Sequence, residues 1–111
     1  MDEFLLVFRR DFTDRENQPS PDELQEHFKK WHTWYEKMAA EDRIVLRRKW
    51  DWEGLVVDSR KTVLNGPYAE IKESIGGMVI IRAASYEEAA EIALGVPVLE
   101  VGGNVEIRKA L

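Results

Sequence analysis

The chain has no cysteine at all. Disulfides, thiolate metal sites and cysteine nucleophiles are therefore excluded, and the absence fits a reducing compartment. Basic charge is scarce: 16 Lys and Arg stand against 21 Asp and Glu, a formal net charge of −5. Non-specific nucleic-acid binding needs a basic surface, and so does an anionic membrane; neither partner is expected. No apolar run approaches the roughly 20 residues of a membrane span. The opening Met1-Asp2-Glu3-Phe4 is acidic, whereas a signal peptide starts basic and continues into a longer apolar stretch. Cytoplasm is the expected setting. Histidine is limited to His27 and His32. Five apart on a helix, they diverge instead of sharing a face, so no metal site is expected, because metal binding needs clustered ligands.

What remains is ordinary for one globular domain: 111 residues, 44% hydrophobic and 33% charged. The order of segments is informative. Phe4 to Phe8 is a continuous apolar run of strand length. Ser20-Pro21-Asp22-Glu23 is a helix start, with a capping Ser, Pro at the first helical position and an acid completing a capping box. Leu24, Phe28, Trp31, Tyr35 and Met38 then draw an apolar stripe on a helix reaching about Glu41. Ile44 to Leu46 predicts a strand running into Arg47-Arg48-Lys49. Residues 55–64 predict a hairpin with a polar turn at 58–61, and Asn65-Gly66-Pro67 a tight turn or loop. Gly76-Gly77 precede the strand Met78 to Ile81. Ser85 to Glu88 caps a short Ala-rich helix ended by Gly95 and Pro97, and Asn104 to Lys109 alternates like a last strand.

This order is βαββαβ plus a hairpin: an α+β, ferredoxin-like domain with two helices on one face of an antiparallel sheet. Phe4 to Phe8 and Met78 to Ile81 are apolar at consecutive positions, and strand side chains alternate between faces. Both faces of the sheet are therefore greasy, and the helices cover one. A second copy about a two-fold axis is the expected cover for the other; a fold-back of loop 46–75 is the alternative.

Asn65-Gly66-Pro67-Tyr68, then Glu70, Lys72-Glu73 and Gly76-Gly77, resemble the YCII-related family, in its DGPF-type branch. That branch has Asp-Gly-Pro-Phe, a Lys-Glu pair and a Gly-Gly pair before an apolar strand; Asn65 and Tyr68 depart conservatively. Trp31 and Trp34 match the Trp-x-x-Trp habit of one subgroup, and the tail from Pro97 to Arg108 is similar to its closing segment. Leu46-Arg47-Arg48-Lys49-Trp50 departs from that subgroup's Gly-Gly turn. The resemblance spans nearly the whole chain and implies a single domain in a dimeric α/β barrel, where two sheets face each other around a pocket. Some relatives are lyase-like dehydrochlorinases using a His and an Asp; others accompany sigma factors.

His27 is the candidate catalytic residue. It falls inside the apolar arc of the first helix, between Trp31 and Trp34, where an imidazole can act as acid or base near neutral pH. A core histidine satisfied by one partner is the plainer reading. Asp51 and Asp58 are loop candidates for its acid, and Glu87, Glu88 and Glu91 near the second helix read as cap and solvent-facing residues. Candidate ligand contacts are Trp50, Trp52, Asn65 and Tyr68. Arg47, Arg48 and Lys49 read as a solvated strand end that is also able to meet an anion. Gly76-Gly77 is too short for a phosphate-binding fingerprint, and no cofactor is expected. The expected function is binding of a small organic ligand near the dimer sheet interface, with acid–base chemistry at His27; the alternative is a non-catalytic accessory or regulatory dimerisation module.

Overall fold

A computed structural model describes residues 1–10, 20–51, 53–66 and 75–111. Strand β1 (Asp2–Arg9) leads through helix α1 (Pro21–Ala40) to β2 (Ile44–Lys49). A hairpin of β3 (Gly54–Val57) and β4 (Val63–Gly66) follows, then β5 (Ile75–Ala83), helix α2 (Tyr86–Ala93), a 3-10 turn (Pro97–Val101) and β6 (Asn104–Lys109). The main sheet runs β2-β5-β1-β6, every neighbour antiparallel, while β3 and β4 form a separate two-stranded ribbon. This is the ferredoxin-like arrangement.

The two sides of the sheet follow from strand alternation. Phe4 and Leu6 of β1 lie opposite Ile81 and Val79 of β5, and all four are fully buried. Trp34 and Met38 of α1 and Ala89 of α2 join them in one core, so both helices cover this side. The opposite side carries Leu5 and Val7 beside Ile80 and Met78, of which only Val7 is buried. The doubly apolar strands are thus as the sequence implies.

Helix ends are set by local chemistry. Ser20 Oγ accepts from the Glu23 N–H at 3.2 Å, which satisfies one of the orphan donors of α1. Asp42 ends the helix in the left-handed region at φ 54, a conformation Asp tolerates, and Arg43 N–H then donates to Met38 O at 2.9 Å. Ser85 caps α2 in the same way through Glu88 N–H. No helix among the described residues is long and apolar enough to cross a membrane.

Two expectations change. Asn65 and Gly66 are the last residues of β4, paired with Leu55 and Gly54, not a turn. A Cβ on Gly66 would come 2.8 Å from Val56 Cγ2, so the strand position opposite Gly54 has no room for a larger residue than Gly66. Gly76 and Gly77 lie inside β5, and Gly77 sits opposite Phe8. The hairpin turn itself is as polar as expected: Asp58 Oδ1 accepts from Arg60 and Thr62 N–H, both at 2.9 Å.

Candidate functional site

A groove of about 580 Å³ lies between the first half of α1 and the β2 edge of the sheet, within the roughly 300–1,000 Å³ usual for small-molecule sites. It is on the helix-covered side of the sheet, as its lining by Phe8 and by α1 shows.

The wall from α1 is its apolar stripe. Leu24, His27, Phe28, Trp31 and Tyr35 recur at three- and four-residue spacing and line the groove together. Phe8 and Val98 complete its apolar surface, and Gly77, which has no side chain, leaves space beside the Phe8 ring. The aromatic rings brace one another. Phe8 meets Trp31 edge-on with centroids 5.0 Å apart, and Trp31 stacks on Tyr35 at 5.7 Å. Such pairs add about 0.5–1.5 kcal/mol beyond burial, and they hold the wall rigid.

The facing rim is cationic. Arg47, Arg48 and Lys49 of β2 line it, with Arg10 at the end of β1. A bulge decides which of them look inward. Ile44 pairs with Ile81 but Leu46 pairs with Ile80, so the register shifts across Val45. Simple alternation from the core-packed Ile44 would send Arg47 and Lys49 to the bare side. The shift instead puts Arg47 opposite Val79 and Lys49 opposite Gly77, on the helix side. The Arg47 guanidinium accordingly sits 4.3 Å from the centroid of the Tyr35 ring. Burial pushes the Tyr35 phenol pKa up, with Arg47 opposing.

His27 is tied to this wall. Trp31 Nε1–H donates to His27 Nε2 at 2.9 Å. An indole N–H only donates, so Nε2 is the accepting nitrogen and the neutral ring carries its proton on Nδ1. Burial holds the His27 pKa below the ordinary 6.5; Arg10 and Lys30 push the same way while Glu100 opposes. His27 is therefore a neutral hydrogen-bonding group.

The other expected residues are dispersed. Trp50 is exposed, anchored by its backbone N–H on Gly76 O at 3.0 Å, and does not line the groove. Asn65 borders a shallow hollow on the hairpin with Glu53, Gly54 and Leu55. Trp52 and Tyr68 lie outside the described residues. None of the candidate acids meets His27. Asp58 closes the hairpin turn, Asp51 accepts from Glu53 N–H at 3.2 Å, and Glu88 accepts from Arg43 at 2.7 Å and from Ala84 N–H. The Arg43 hydrogen bond holds the Glu88 carboxyl below its usual pKa. Among the described residues no three His, Asp or Glu converge as metal ligands. Tyr35 and Phe28 went unremarked as site residues because helical spacing marks a stripe without saying what faces it.

Residues 6–110 match the YCII-related domain family. No curated protein sequence matches the chain. Among solved structures, the fold is similar to that of 5-chloro-2-hydroxyhydroquinone dehydrochlorinase from Burkholderia phenoliruptrix, in complex with 2,5-dihydroxybenzoquinone. The likeness has a TM-score of 0.50 at 15% identity, over 97% of this chain and 93% of that one. At that identity the likeness concerns the fold alone.

Proposed function

The chain belongs to the YCII-related family, and on that premise we propose that it binds a small organic ring compound in the groove between α1 and β2, as a cytoplasmic homodimer. The observation that carries this reading is an aromatic wall of Phe28, Trp31 and Tyr35 around a single neutral imidazole, His27. Apolar walls with few polar groups are what small-molecule sites present. The dehydrochlorinase of similar fold is a precedent for a ring compound. His27 Nδ1–H is the group that would orient the ligand. Trp50, Asn65, Trp52 and Tyr68 are proposed as further ligand contacts.

The dimer rests on two exposed apolar surfaces. Leu5, Ile80 and Met78 remain partly open on the bare side of the sheet. On the hairpin, Leu55, Val57 and Val63 share one face of the ribbon and are 70%, 67% and 61% exposed. A lone two-stranded ribbon is marginal in water, so its apolar face asks for a partner.

Acid–base, lyase-like catalysis is a narrower version of this proposal. It requires ligand binding to free Nε2 from Trp31, because a lone pair already accepting a hydrogen bond is a poor base. The second reading, a non-catalytic accessory or regulatory module, draws on those same exposed surfaces, which would then be its function.

A thermal-shift screen of ring compounds tests the first reading, since a specific ligand stabilises the folded state by mass action. At least one compound should raise the Tm of the wild type and lose that effect in Phe28→Ser. If every stabilising compound acts equally on both proteins, the groove is not the site. Sedimentation velocity tests the dimer: a lone protomer at micromolar concentration removes it.

A further inference from the structure

We propose that the groove selects ring compounds carrying negative charge, with Arg47 and Lys49 as the residues that set this preference. The inference rests on the ligand-binding reading above and adds the charge class of the ligand.

The chain is acidic overall, yet the described residues lining the groove include four cations and no carboxylate. Several cations elsewhere are paired with carboxylates. Arg9 pairs with Glu106, Lys30 with Glu100, Arg43 with Glu88 and Lys109 with Asp2. Arg47 and Lys49 have no carboxylate partner among the described residues. Lys and Arg on an edge strand also deter edge-to-edge pairing, which accounts for charge on β2 but not for where it points. The bulge at Val45 turns Arg47 and Lys49 toward the aromatic wall, and re-aiming a side chain beside a site is a recurrent use of bulges. The Arg47 guanidinium carbon lies over the Tyr35 ring, 4.3 Å from its centroid. A guanidinium held against that wall presents N–H groups that can take a carboxylate bidentately or donate to a phenolate oxygen. A flat ring against Trp31 and Phe28 with its anionic group toward β2 satisfies both walls together.

The test compares two probes of one shape, 2-naphthoate and its neutral isostere 2-naphthamide. Affinity is followed by tryptophan fluorescence and by calorimetry on the full chain, in low salt and in 0.5 M NaCl. The anion should bind at least tenfold more tightly in low salt, and the advantage should shrink in high salt as screening grows. An R47Q/K49Q double variant should lose the advantage while keeping the amide's affinity. Equal affinities in the wild type would overturn the charge preference and leave the groove reading standing. An anion preference unchanged in the double variant would overturn the assignment to Arg47 and Lys49. Binding of neither probe at millimolar concentration would overturn both readings. The wild-type comparison decides the charge preference even if the double variant does not fold.

Discussion

The two ends of α1 carry the same apolar stripe and meet different surroundings. Toward its C-terminus Trp34 and Met38 press into the sheet and are 7% and 3% exposed. Toward its N-terminus Phe28 is 54% exposed, and with His27 and Leu24 it stands over open space. One end is finished core and the other a wall waiting for something to pack on it. Hydrophobic spacing tells which face of a helix turns inward. It does not tell whether protein or a ligand fills the gap behind that face.

The largest effect should separate the two ends directly. Trp34→Ala leaves a cavity in a close-packed core and should cost about 3–5 kcal/mol, read from urea denaturation. Phe28→Ala, on the open end, should cost less than about 0.5 kcal/mol while weakening any groove ligand. Similar costs at both positions would mean that the open end is core after all. A smaller effect is expected at the helix start. Ser20→Ala removes the cap on Glu23 N–H and should cost about 1 kcal/mol, loosening the groove end of α1 more than the core end by hydrogen exchange.

The smallest effect concerns His27. Its native pKa is held below 6.5, first by burial, so the unfolded chain takes up the proton before the folded one. The stability tied to its neutral form is therefore complete above about pH 6.5 and declines as the pH falls from there toward the depressed native value. Urea midpoints across pH 4 to 8 should fall less steeply on the acid side in His27→Gln than in the wild type. Trp31→Phe removes the indole donor while keeping the ring, and should move the His27 titration midpoint upward by NMR. No movement would mean that the Trp31 hydrogen bond does not govern the imidazole.

Much of the fold was legible because it rests on local rules. Ser20, Pro21 and Glu23 announce α1, and Ser85 with Glu88 announces α2; both caps form hydrogen bonds within three residues. The apolar runs in β1 and β5 declare strands greasy on two sides, and both sides are seen. His27 was legible as a stripe residue, and its partner proved to be Trp31 one helical turn away. The acids proposed beside it were not informative, since Asp51 and Asp58 serve turns that spacing alone does not reveal.

By itself the sequence determined the element order, the helix boundaries, the two-faced sheet and the family, because capping, alternation and motif spacing are read within a few residues of the chain. Only the tertiary structure decided where the groove lies and what borders it. The physical reason is the bulge at Val45: a single unpaired residue reverses which side Arg47 and Lys49 occupy. That reversal depends on how β2 pairs with β5, a strand about thirty residues later, and no pattern within β2 encodes it.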